Sequence, residues 1–164
     1  MKASALKDRA VVSLADGTRI GRVSDVLFDT AELRLAALAL ATDGGRSILP
    51  FAAVRNLGTD AVTVESAAAM QGAAGPAAGN VLRGLSDLVG MKAVNSDGTL
   101  LGEVRELEID QAGGALVSLE LHHGGVLGLG GTTVTAPVAS VRSIGPELVT
   151  LDLPAPAAEK STKD

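Results

Sequence analysis

The two halves of this 164-residue sequence repeat each other in order. Asp16-Gly17-Thr18 returns as Asp97-Gly98-Thr99, Gly21 as Gly102, Val23 as Val104, Asp29 as Asp110, Leu38 as Leu119 and Leu40 as Leu121, each 81 residues on. Further along, Pro50, Ala52, Val54, Arg55, Gly58, Val62 and Thr63 return as Pro137, Ala139, Val141, Arg142, Gly145, Val149 and Thr150, now 87 residues on. Two collinear series separated by one six-residue insertion are the signature of a duplicated unit. Copies are read at 6–66 and 85–153, joined by an Ala/Gly-rich flexible linker at 67–84 and followed by a Pro, Ala and charge-rich tail at 154–164 that is expected to be disordered. At roughly 60 to 70 residues each copy is marginal as a domain alone, so the copies are expected to pack as a pseudo-twofold pair, or the chain to dimerise.

Within a copy the local signals are those of strands. Asp16-Gly17 and Asp97-Gly98 lie between apolar segments, and Asp-Gly suits the positive φ angles of a tight hairpin turn. Ile20, Val23, Val26 and Phe28 follow the first turn, and Leu101, Val104, Leu107 and Ile109 the second. The alternation slips after Gly21 and Gly102, which predicts a bend or bulge there. Val117, Leu119 and Leu121 alternate with Ser118 and Glu120, and Leu38 and Leu40 keep the pattern in the first copy. Ile48-Leu49-Pro50 and Val134-Thr135-Ala136-Pro137 read as short strands stopped by proline. A helical turn over 51–54 and 138–141 precedes closing strands at 62–65 and 149–152. At the 81-residue spacing Ser13 falls opposite Val94, so the opening strand of the first copy fits loosely.

Composition narrows the function. Hydrophobic residues make up 46% of the chain, enough for a core, but with two Phe and no Trp or Tyr that core is aliphatic. Few rings for bases to stack on, and a net charge of -5, argue against nucleic acid. Without Cys there is no disulfide, thiolate metal site or cysteine nucleophile. Charges break the first nine residues before any apolar run of signal-peptide length, and 33–41, the most apolar strand-like run, is far short of the roughly 20 residues a spanning helix needs. A cytoplasmic protein with no membrane span is expected.

The succession of a strand, Asp-Gly-x-x-x-Gly-x-Val, an Asp some six residues later, an alternating strand and a proline-led turn resembles the PRC-barrel family across nearly all of 6–66 and 85–153. That family is known from the cytoplasmic part of the photosynthetic reaction-centre H subunit and from the C-terminal domain of a ribosome-maturation factor. The resemblance implies an all-β protein of two tandem SH3-like barrels used for docking, with no family-wide catalytic residue. A protein-interaction scaffold is therefore the leading expectation. A ribosome- or RNP-assembly factor and an accessory of a photosynthetic or other membrane complex are the alternatives.

No constellation points to catalysis, a cofactor or a metal. His122 and His123 are adjacent on a strand, where side chains alternate faces, and they have no Cys or third His for company. No Gly-x-Ser-x-Gly elbow occurs. The glycine-rich run 124–131 lacks the lysine of a phosphate-binding loop and leads into a strand rather than a helix. It reads as a hairpin loop holding most of the insertion. Charge does separate the copies: 6–66 carries 7 basic and 8 acidic residues, 85–153 carries 3 and 9. Glu106, Glu108 and Asp110 alternate along one strand and are expected to form an acidic stripe that, with Val126, Leu127 and Leu129 of the loop, docks a basic protein partner.

Overall fold

A computed structural model describes residues 1–70, 82–124 and 131–154. The first copy supplies β1 (Ala10–Ser13), β2 (Arg19–Asp29), β3 (Arg34–Thr42), β4 (Gly45–Pro50), β5 (Val54–Leu57) and β6 (Ala61–Val64). The second supplies β7 (Leu82–Gly84), β8 (Lys92–Asn95), β9 (Leu100–Ile109), β10 (Leu116–His123), β11 (Thr132–Pro137), β12 (Val141–Ile144) and β13 (Leu148–Leu151). The two sheets share one order, β4-β3-β2-β1-β6-β5 and β11-β10-β9-β8-β13-β12, with β7 added to the first beside β2, and β1 lies parallel to β6 as β8 does to β13. No ladder joins β4 to β5 or β11 to β12 among the described residues, so the barrels are not closed. Single 3-10 turns at Phe51–Ala53 and Val138–Ser140 follow the two prolines.

The Asp-Gly pairs are hairpin tips, with Gly17 at φ +69° and Gly98 at φ +80°. Strands β2 and β9 carry register slips on both sides of their glycine. In β9 they fall between Leu100 and Gly102 on the β8 side, and between Val104 and Glu106 on the β10 side. Ahead of the hairpin, however, the copies are 82 residues apart rather than 81. Ala10, Val11 and Val12 pair with Arg22, Gly21 and Arg19 as Lys92, Ala93 and Val94 pair with Glu103, Gly102 and Leu100. The first hairpin holds one more residue, so Ser13 is the counterpart of Asn95, not of Val94. Both are buried polar residues that donate to a carbonyl, Ser13 to Glu65 O (3.5 Å) and Asn95 to Leu153 O (3.1 Å). A second departure lies at Val117, which is 46% exposed because the β9–β10 register slips between Leu116 and Ser118; Leu116 takes the inward place.

The copies interlock. Each long strand pairs along its first part with a strand of its own copy and along its last part with the segment that precedes the other copy. Leu27, Phe28 and Asp29 of β2 pair with Gly84, Arg83 and Leu82 of β7, so 82–84, read above as linker, is a strand. Lys2 bridges Glu108 of β9, and Ile109 N donates to Met1 O (2.8 Å). At the 82-residue spacing these are equivalent contacts. Between them Leu35 N donates to Gly114 O (2.8 Å) and Leu116 N to Leu33 O (3.0 Å), a reciprocal pair about a pseudo-twofold axis near Arg34 and Ala115. One hydrophobic cluster runs through both copies, from Leu6, Val26 and Leu35 to Leu88, Ile109 and Leu116. Burying an aliphatic side chain of this size contributes about 1.5–3 kcal/mol.

Near the axis the copies exchange volumes. Gly114, at φ +78°, lies under the Phe51 ring, where an added Cβ would come within 2.8 Å of it. The equivalent positions are Leu33, itself at φ +56°, and Val138, a small residue in place of the ring. Gly114→Leu alone is expected to cost about 2 kcal/mol or more, from overpacking and from the positive φ. Adding Phe51→Val copies the opposite side and should recover part of that loss in a urea double-mutant cycle; purely additive losses would mean that the two positions do not share space.

Candidate docking faces

The three carboxylates of the acidic stripe do separate jobs inside the chain. Glu106 accepts hydrogen bonds from Ser4 N (3.0 Å) and Ser4 Oγ, and from its own neighbour Leu107 N (3.1 Å). Glu108 holds the Met1 ammonium at 2.7 Å, while Ile109 O accepts from the same group at 2.9 Å. Asp110 caps the β9–β10 turn by accepting from Gly113 N (2.9 Å). Two of the three jobs are repeated in the first copy: Asp25 accepts from Ser86 N (3.3 Å) and Ser86 Oγ (2.7 Å), and Asp29 accepts from Ala31 N (3.0 Å) and Glu32 N (2.9 Å). Hydrogen bonds to ionised groups of this kind are each worth about 1.5–3 kcal/mol, less where exposed. The stripe is thus partly the clasp between the copies. Ser4, Ser86 and Asp25 were not singled out from sequence, although Ser-x-Leu opens both copies and an acid stands at both 25 and 106.

Only the middle position diverges, and it marks a divergence of the whole outer face. In the first copy Leu27, Ala37, Ala39 and Ile48 form a small second cluster, against which Leu82 packs. Their counterparts in the second copy are Glu108, Ser118, Glu120 and Thr135, which with Lys2 and Glu106 line a shallow depression of about 140 Å³. Glu120 stands directly across from Glu106 on the neighbouring strand. Like charges in that arrangement repel mildly. Val126, Leu127 and Leu129, read with the stripe as a docking surface, lie outside the described residues. His122 and His123 end β10, cross-strand from Thr133 and Thr132. Among the described residues no group of His and acidic side chains is placed to hold a metal ion, and no helix is long and apolar enough to cross a membrane.

Two open sheets built on one six-strand order, the first with β7 as a seventh strand, define a tandem pair of small barrel-like domains. The model of the PRC-barrel domain matches residues 1–71 and again 81–155, and the chain belongs to that family as a tandem two-domain member. Domains of this family generally serve as protein-interaction modules. No curated protein is matched by the chain.

Proposed function

We propose that the chain is a non-enzymatic protein-docking scaffold that presents the outer face of its second copy to a basic partner. The observation that carries this reading is the divergence of two equivalent faces on one duplicated frame: the first closed by aliphatic side chains, the second left polar, with Glu106 and Glu120 opposed. Glu106 has a folding role in its clasp on Ser4, but no described hydrogen bond or ion pair gives Glu120 a reason to face it, and a cationic partner would offset their repulsion. The net charge of -5 favours a basic protein over a polyanion such as RNA.

Glu120→Lys is the informative variant, because it reverses charge on this face while sparing the Ser4–Glu106 and Met1–Glu108 contacts. Stability is expected to change by less than about 0.5 kcal/mol, as for most surface substitutions. Basic partners recovered with the wild-type chain should bind the variant at least about tenfold more weakly in a titration. A folded variant that retains every partner at full affinity would place docking elsewhere.

A further inference from the structure

The pseudo-twofold is also imperfect where the turns meet the edge strands, and there the imperfection opens a groove. On one side Gln111, in the β9–β10 turn, reaches across to the first copy, where its Nε2 donates to Leu57 O on the edge strand β5 at 2.6 Å. The equivalent residues on the other side are Thr30, in the β2–β3 turn, and Ile144, on the edge strand β12. Threonine is too short to repeat the bridge, and no described side chain donates to Ile144 O. Two adjoining depressions of about 350 and 290 Å³ lie there and share Thr30 and Ile144. Arg83 and Pro146 line the first, Leu33 and Arg142 the second.

The filled side serves as a template for the open one. What the β5 edge accepts is an amide, and an edge strand with bare backbone is the usual place for an extended peptide to add. Charge supplies the second requirement. Arg83 and Arg142 line the groove: the Arg83 guanidinium is held there by donating to Gly145 O (2.8 Å) and lies against Met91 Sδ, while Arg142, among the described residues, meets only Asp152, in an exposed pair at 3.2 Å that an incoming carboxylate can exchange. We propose that this open groove binds an extended, carboxylate-bearing peptide segment of a partner protein, with an amide N–H at Ile144 O where Gln111 sits at Leu57 O. The groove goes beyond the docking reading above: it is a second surface, with the opposite charge preference.

The probe is a random decapeptide library panned against the full chain, with enriched peptides synthesised and titrated into the ¹⁵N-labelled protein. Enriched sequences should carry Asp or Glu and shift the amides of 30–33 and 142–145. Thr30→Gln installs the missing plug and should weaken them at least about tenfold, with the melting temperature held. Arg142→Glu should weaken them similarly and serves as the reading if Thr30→Gln fails to fold. The inference is overturned if no peptide enriches, if enriched peptides lack acid, if their shifts map to another face, or if both variants bind as the wild type does. Glu120→Lys should leave this binding intact, so either surface can fail without the other.

Discussion

Expressed separately as residues 1–70 and 71–164, the two copies are expected to be unfolded at micromolar concentration and to fold together when mixed. Each copy lacks, on its own, the partner for the last part of its long strand: β2 loses β7, and β9 loses Met1 and Lys2. The reciprocal bonds of Leu35 and Leu116 and the cluster common to both copies are lost as well. Domains of this size have only a few kcal/mol to spare, so losing several buried aliphatic contacts exceeds what each can bear. Homodimers of either half offer poor substitutes. Leu82, which packs on Leu27, Ala37, Ala39 and Ile48, would have to lie on the acidic face of a second copy two, and the Met1 ammonium would have to lie on Leu27 in place of Glu108. Circular dichroism of each half and of the mixture checks this. If either half alone melts at the temperature of the intact chain, the clasp is decoration on two independent domains.

What was legible in the sequence, and what was not, divides along the same line. Hairpin tips, proline-led turns and the bend at the glycines rest on local chemistry that each copy states for itself, and the repetition states it twice. Contacts between the copies depend on which segment arrives opposite which, and no local pattern carries that. Glu106, Glu108 and Asp110 therefore read as surplus charge on one face, whereas one holds a serine of the other copy, one an ammonium group and one its own turn. The strand at 82–84 is hidden for a similar reason: Leu82-Arg83-Gly84 has no alternation of its own, and its order comes from β2. The extra residue in the first hairpin went unread because the strands ahead of it, Ala10–Ser13 and Lys92–Asn95, share no distinctive residue that fixes their alignment. Their equivalence emerges only from pairing with β2 and β9.

Repetition also misleads where it suggests that equivalent residues are equally constrained, and the two bend glycines show how far apart they are. Gly102 has φ +146°, and a Cβ added to it would lie 2.7 Å from His122 O and 3.0 Å from His122 C, both backbone atoms of the neighbouring strand. Neither can move without breaking the β9–β10 ladder, in which His122 pairs with Glu103 and Leu121 with Val104. Gly21 lies outside the positive-φ region, and its added Cβ would meet Ala41 O at 3.0 Å, a contact that a few tenths of an ångström relieves. Gly102→Ala is accordingly expected to cost about 2–4 kcal/mol and Gly102→Val more, a large share of the 5–15 kcal/mol typical of a whole protein. Gly21→Ala should cost about 1 kcal/mol or less. Because the core is common to both copies, the loss at Gly102 should lower a single unfolding transition rather than release the second copy alone. Urea denaturation of the three variants decides the matter. Equal midpoints for Gly21→Ala and Gly102→Ala, or a Gly102→Val chain that melts with the wild type, would mean that the bend in β9 does not close against β10 at His122.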